Sequence, residues 1–96
     1  MAVVARVYVG PADQALHDRV EEAVGAGIAA TGGPPDGLMA HISTPSGEGF
    51  EIIEVWRSEE TWTAYWEAIA LPAITGAGAA APDAPTVAPV WGFARP

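Results

Sequence analysis

Ninety-six residues, half of them apolar, with a net charge of −8 and no cysteine, describe one small acidic domain with a single core. The absence of cysteine and lysine excludes disulfides, thiolate metal sites, iron–sulfur clusters, cysteine nucleophiles and Schiff-base chemistry. Four isolated cations, Arg6, Arg19, Arg57 and Arg95, stand against twelve carboxylates, a balance that repels phosphate backbones and argues against nucleic acid. No run approaches the roughly 18 apolar residues of a membrane span, and the first residues lack the layout of a signal peptide, so a cytoplasmic protein without membrane contact is expected.

Residues 2–9 are β-branched and aromatic and stop at Gly10-Pro11, which predicts a first strand with Val3, Ala5, Val7 and Val9 on one face. Asp13 caps an amphipathic helix in which Leu16, Val20, Val24 and Ile28 recur every four residues, while Asp18, Arg19, Glu21 and Glu22 point away. Gly25 and Gly27 weaken that helix unless a neighbour packs closely there. Thr31–Gly37, with three glycines and two prolines, is a loop. Residues 38–44 and 50–57 form a β-hairpin through a four- or five-residue loop at Pro45–Gly49. Ser58 then caps a second helix, with Glu59 and Glu60 in its first turn and Trp62, Tyr65, Trp66 and Ile69 on one face, reaching about Leu71-Pro72. Ala73 to Pro85 reads as an exposed connector. Thr86 to Ala94 reads as a last strand, and Pro89 places it at an edge or a bulge.

The order β-α-β-β-α-β is the ferredoxin-like arrangement, an α+β fold with a four-stranded antiparallel sheet and both helices on one face. Setting His41 opposite Glu54 pairs Met39 with Trp56 and Ser43 with Ile52. One face then carries Met39, His41, Ser43, Phe50, Ile52, Glu54 and Trp56, and the other Leu38, Ala40, Ile42, Ile53 and Val55. Both faces are largely apolar, so both need cover. Two helices cover one, and a second copy of the same sheet is expected to cover the other, giving a homodimer.

The run Gly37-Leu38-Met39-Ala40-His41, then Phe50 to Glu60 with its Glu-Val-Trp-Arg-Ser centre, then the aromatic helix to Leu71-Pro72, resembles the dimeric α/β-barrel proteins of the antibiotic-biosynthesis-monooxygenase type, in particular their small actinobacterial members. That resemblance implies a single dimeric α/β-barrel domain over residues 1–96. It implies a pocket between sheet and helices for a small hydrophobic molecule, aromatic or polyketide-like, and cofactor-independent chemistry of secondary metabolism. By the same resemblance His41, Glu54, Trp56 and Met39 line the pocket, with Trp62, Tyr65 and Trp66 approaching from the second helix. The asparagine common in the oxygenase and haem-degrading members is absent from this chain.

His41 and Glu54 are the candidate catalytic pair. A facing carboxylate holds one imidazole tautomer, raises the ring pKa and lets the pair move a proton on a substrate; the alternative is a buried polar pair that satisfies only itself. The three indoles Trp56, Trp62 and Trp66, with Tyr65, suit stacking on a planar ligand as well as core packing, and are expected with Met39 to bind it. Trp91 and Phe93 suit dimer or edge packing. His17 is expected to form a solvated i,i+4 pair with Glu21. Ser43 lacks the context of a nucleophile elbow, and the histidines and carboxylates show no short metal-ligand spacing. Two readings therefore stand: a cofactor-free monooxygenase-like or acid/base cyclase or isomerase, and a non-catalytic module that binds or stabilises a small molecule. A solvent-connected cavity reaching His41 and Glu54 favours the first, and a collapsed one the second.

Overall fold

Alternation builds the sheet. In a computed structural model that describes residues 1–94, β1 (Val3–Val9) buries Val3, Ala5, Val7 and Val9, and β3 (Gly49–Trp56) buries Phe50, Ile52, Glu54 and Trp56. Successive side chains point to opposite faces, so each strand sends every second residue under the helices. β2 (Leu38–Ser46) and β4 (Thr86–Pro89) complete an antiparallel sheet of order β2-β3-β1-β4. This is the ferredoxin-like topology expected from the element order.

Both predicted caps form. Asp13 Oδ1 accepts from the Leu16 amide at 2.8 Å at the head of α1 (Gln14–Ala30), and Ser58 Oγ accepts from the Thr61 amide at 3.2 Å ahead of α2 (Glu59–Tyr65). Val20 and Val24 seal the buried stripe of α1 against the sheet. A Cβ on Gly27 would lie 3.0 Å from Ile69 Cγ2. The glycine gives Ile69 a close approach that a Cβ would crowd by a few tenths of an ångström, a contact set against its weak helix propensity.

Five local expectations are corrected. The hairpin turn is shorter than predicted: Ser46 pairs with Gly49 and the loop is Gly47-Glu48 alone. Gly47 sits at φ +53°, the positive value that a two-residue turn needs at its first position and that matches the strand twist. Pro45 stays in the ladder because β2 is an edge strand. The register His41↔Glu54 and Ser43↔Ile52 is as expected, but a bulge between Leu38 and Ala40 pairs Leu38, not Met39, with Trp56. Leu38 therefore packs against the core, and Met39 becomes the extra residue, 39% exposed.

The second helix does not end at Pro72. After α2 the chain makes a π-helical turn, Trp66–Ala70, in which the Leu71 amide donates to Trp66 O, and continues as α3 (Leu71–Gly76). Pro72 sits in the first turn of α3, where a missing amide proton is tolerated. Ile74, assigned above to an exposed connector, is fully buried. Finally β4 is only four residues long, and Trp91 beyond it is 95% exposed.

Among the described residues no helix covers the sheet's second face, with Ala40, Ile42, Ile53 and Val55, and Ile42 is 57% exposed. No helix among the described residues is long and apolar enough to cross a membrane.

Candidate functional site

Glu54 is the one charged side chain buried among the described residues, at 3% exposure. The alternation of β3 forces it inward between Ile52 and Trp56, and the strand register supplies its counter-ion. His41 Nδ1 donates to Glu54 Oε2 at 2.6 Å, and Trp56 Nε1, two residues along the same face, donates to Oε1 at 3.1 Å. Both carboxylate oxygens are thus met, as a buried charge requires.

The other side of the imidazole is met by a residue expected to face solvent. Glu21, from α1, takes the His41 Nε2 hydrogen bond on its Oε1 at 3.1 Å. Glu21 follows Val20 directly and lies one turn before Val24, at the border of the apolar stripe, so the helix that covers the sheet carries it to the hairpin. Two carboxylates therefore clamp one ring. The hydrogen bond from Glu21 first, and that from Glu54 second, push the His41 pKa up to about 10 against the opposing effect of burial. His41 is an imidazolium at neutral pH and donates from both nitrogens. The same contact holds the Glu21 carboxyl below the usual carboxylate range.

Aromatic rings wall this polar centre. Tyr65 lies tilted on Trp56 with centroids 4.7 Å apart, Trp62 meets Trp56 near edge-on at 6.1 Å, and Trp66 stacks on Trp62 at 5.5 Å. Burial, and then the charges of Glu54 and Glu21, push the Tyr65 hydroxyl well above its ordinary pKa, so it remains a neutral phenol. The π-helical turn Trp66–Ala70 forms part of this wall, with Ala70 buried against the void. Such turns recur at functional sites because the widened backbone re-aims side chains.

Of the predicted residues, His41, Glu54, Trp62, Tyr65 and Trp66 surround a common void with Glu21, Val24 and Ile74. Trp56 does not border it: the indole is fully buried behind Glu54 and Tyr65 and acts on the carboxylate. Met39, carried outward by the bulge, does not border it either. The void measures about 10 Å³, room for about one water. Glu21 was missed by the sequence reading, and the available signal was its i,i+3 spacing to Val24.

A larger cleft of about 310 Å³ opens beside this centre, between the start of α1 and the end of the hairpin, lined by Asp13, His17, Ser43, Pro45 and Phe50 among others. The expected i,i+4 pair of His17 with Glu21 is present, but His17 is part-buried rather than solvated. Its Nε2 lies 2.8 Å from Ser43 Oγ and 3.8 Å from Glu21 Oε1, its Nδ1 lies 2.9 Å from Asp18 Oδ1, and its ring meets Phe50 edge-on at 4.8 Å. Among the described residues no group of three or more acidic, histidine or cysteine side chains is placed to hold a metal ion.

Solved structures share this architecture. SnoaB from Streptomyces nogalater, a cofactor-independent oxygenase solved as a variant, superposes with a TM-score of 0.61 at 16% identity, over 96% of this chain and 93% of its own. A candidate antibiotic biosynthesis monooxygenase from Deinococcus radiodurans gives 0.57 at 15%, over 99% and 97%, and Rv0793 from Mycobacterium tuberculosis gives 0.54 at 20%, over 98% and 97%. The chain has the ferredoxin-like fold of these proteins. At such identities the likeness establishes fold and not chemistry. No family model matches the sequence, and no curated protein matches it.

Proposed function

We propose that the chain is a cofactor-free enzyme acting on a small hydrophobic metabolite, aromatic or polyketide-like, bound between the sheet and the helix bearing Trp62, Tyr65 and Trp66. The observation that carries this reading is the Glu54 carboxylate, buried at an aromatic wall and paired there with the part-exposed His41. A charge is expensive to bury, and a core made only for stability has cheaper ways to fill that space. SnoaB, with the same fold over nearly its whole length, is itself a cofactor-independent oxygenase, which supports chemistry of this kind.

In that role His41, as imidazolium, stabilises negative charge developing on a substrate oxygen, and Glu54 holds the ring in place. A conjugated substrate acidic enough to ionise in solution binds as its anion, with no proton for the protein to remove, and can then react with dioxygen directly or be protonated at another atom by the imidazolium. Trp56 contributes by donating to Glu54, and Met39, turned outward by the bulge, takes no part.

The working form is a homodimer through the sheet face of Ala40, Ile42, Ile53 and Val55, which is apolar and carries no helix among the described residues. Ile53→Asp is expected to convert dimer to monomer in sedimentation velocity, and a monomeric wild type refutes the pairing.

One observation favours the alternative of a non-catalytic binding or stabilising module: the void beside His41 holds only about 10 Å³, so a ligand must displace side chains to enter. A panel of enolisable aromatic ketones separates the two. The enzyme reading expects turnover that His41→Ala and Glu54→Gln abolish while tryptophan quenching by the ligand persists. Binding without turnover across the panel, or turnover indifferent to both variants, supports the module instead.

A further inference from the structure

The two carboxylates on His41 are not equivalent. Glu54 is sealed at 3% exposure and held by Trp56 as well, whereas the Glu21 side chain is 33% exposed and makes no other hydrogen bond within 3.5 Å among the described residues. Only Glu21 can leave. It can swing toward the larger cleft, where its Oε1 already lies 3.8 Å from His17 Nε2, one helical turn away, an atom it would share with Ser43 Oγ. Its departure would uncover the Nε2 donor of His41 and the void beside it, and would do so without disturbing the buried pair.

Charge then restricts what can replace it. His41 is the cation on Glu54, while Arg6 pairs with Glu51 and Arg57 with Asp36. With Glu21 in place the centre holds one positive and two negative groups. A neutral ligand taking its position would give Nε2 a neutral acceptor in place of a charged one, while an ionised oxygen would reproduce the charge-assisted bond that Glu21 makes at 3.1 Å. Glu21 thus occupies the place of a ligand anion.

We infer that Glu21 is a displaceable latch, and that the ligand of this site is a planar apolar molecule carrying an ionised oxygen, a carboxylate, phenolate or enolate, which replaces Glu21 on His41 Nε2. This rests on the proposed metabolite pocket and adds the chemical class of its occupant, with Glu21 as the residue that selects it. An internal carboxylate excludes neutral apolar molecules and yields to anions, which suits a protein whose overall charge otherwise repels them.

The test compares 2-naphthoate with its neutral isostere 2-naphthamide at neutral pH, by quenching of tryptophan fluorescence and by the ¹⁵N shift of His41 Nε2. The naphthoate is expected to bind about tenfold more tightly, the difference between a charge-assisted and a neutral hydrogen bond, and to move the Nε2 resonance. Glu21→Gln, at a half-exposed helix position, is expected to tighten naphthoate about tenfold further by weakening the internal competitor. His41→Gln is expected to abolish the preference. Equal binding of the two ligands, an unmoved Nε2 resonance, or a preference that survives in His41→Gln overturns the latch and leaves the pocket standing. Failure of both ligands to quench in wild type and in Glu21→Gln overturns the pocket as well.

Discussion

Truncating His41 to alanine exposes what the clamp contributes. The change leaves Glu54, at 3% exposure, with the Trp56 indole as its one remaining hydrogen bond. Removing one partner of a fully sealed ion pair costs about 3–5 kcal/mol. The His41 side chain is 32% exposed, so water can reach part of the gap and screen the orphaned charge, and the expected loss falls to about 2 kcal/mol. For a chain of this length that corresponds to roughly 8–16 °C in Tm. Urea melts of wild type, His41→Ala, Glu54→Gln and the double variant measure it, and the double variant should recover about half the loss because the neutral amide no longer needs a cation.

The pH dependence supplies an independent check. The folded-state pKa of His41 is raised from 6.5 to about 10, so the stabilisation is fully present below about 6.5 and is lost as pH rises through about 10. The stability gap between wild type and His41→Ala should therefore narrow between about pH 7 and about pH 9.5. A loss below about 0.5 kcal/mol, or a gap that stays constant or widens over that window, refutes the clamped imidazolium.

Other outcomes follow from the same geometry. Trp56→Phe keeps most of the ring but removes the donor to Glu54 Oε1, and should cost about 1–3 kcal/mol in denaturant melts; an unchanged midpoint would show the carboxylate satisfied without it. Ile74→Ala should cost about 2–5 kcal/mol as a buried cavity mutation, whereas a true connector would tolerate it within about 0.5 kcal/mol. Glu21 is held below the usual carboxylate range, so its contribution is present above the ordinary value and lost as pH falls through the lowered one. Glu21→Gln should accordingly flatten the acid limb of the stability profile, and an unaltered limb would count against its pairing with His41.

Much of the centre was legible in the chain itself. Period-two alternation in Phe50, Ile52, Glu54 and Trp56 can be satisfied by one buried face only, and the hairpin then sets His41 against Glu54. Asp13 and Ser58 cap helices by contacts within three residues, which local sequence specifies. Tertiary packing decided what periodicity cannot express. The bulge at Leu38 and Met39 exchanges which of two apolar neighbours enters the core, a choice that depends on the space beneath rather than on hydrophobicity. The helix runs past Pro72 because the preceding π-turn starts a new helical segment whose first turn accepts proline, and burial of Ile74 rewards the extension. Glu21 joins His41 because α1 lies across the hairpin at one angle and depth, set in part by Gly27 against Ile69. A helical pattern reports the face a residue occupies; which atoms meet across the gap to the sheet is fixed only when both elements are in place.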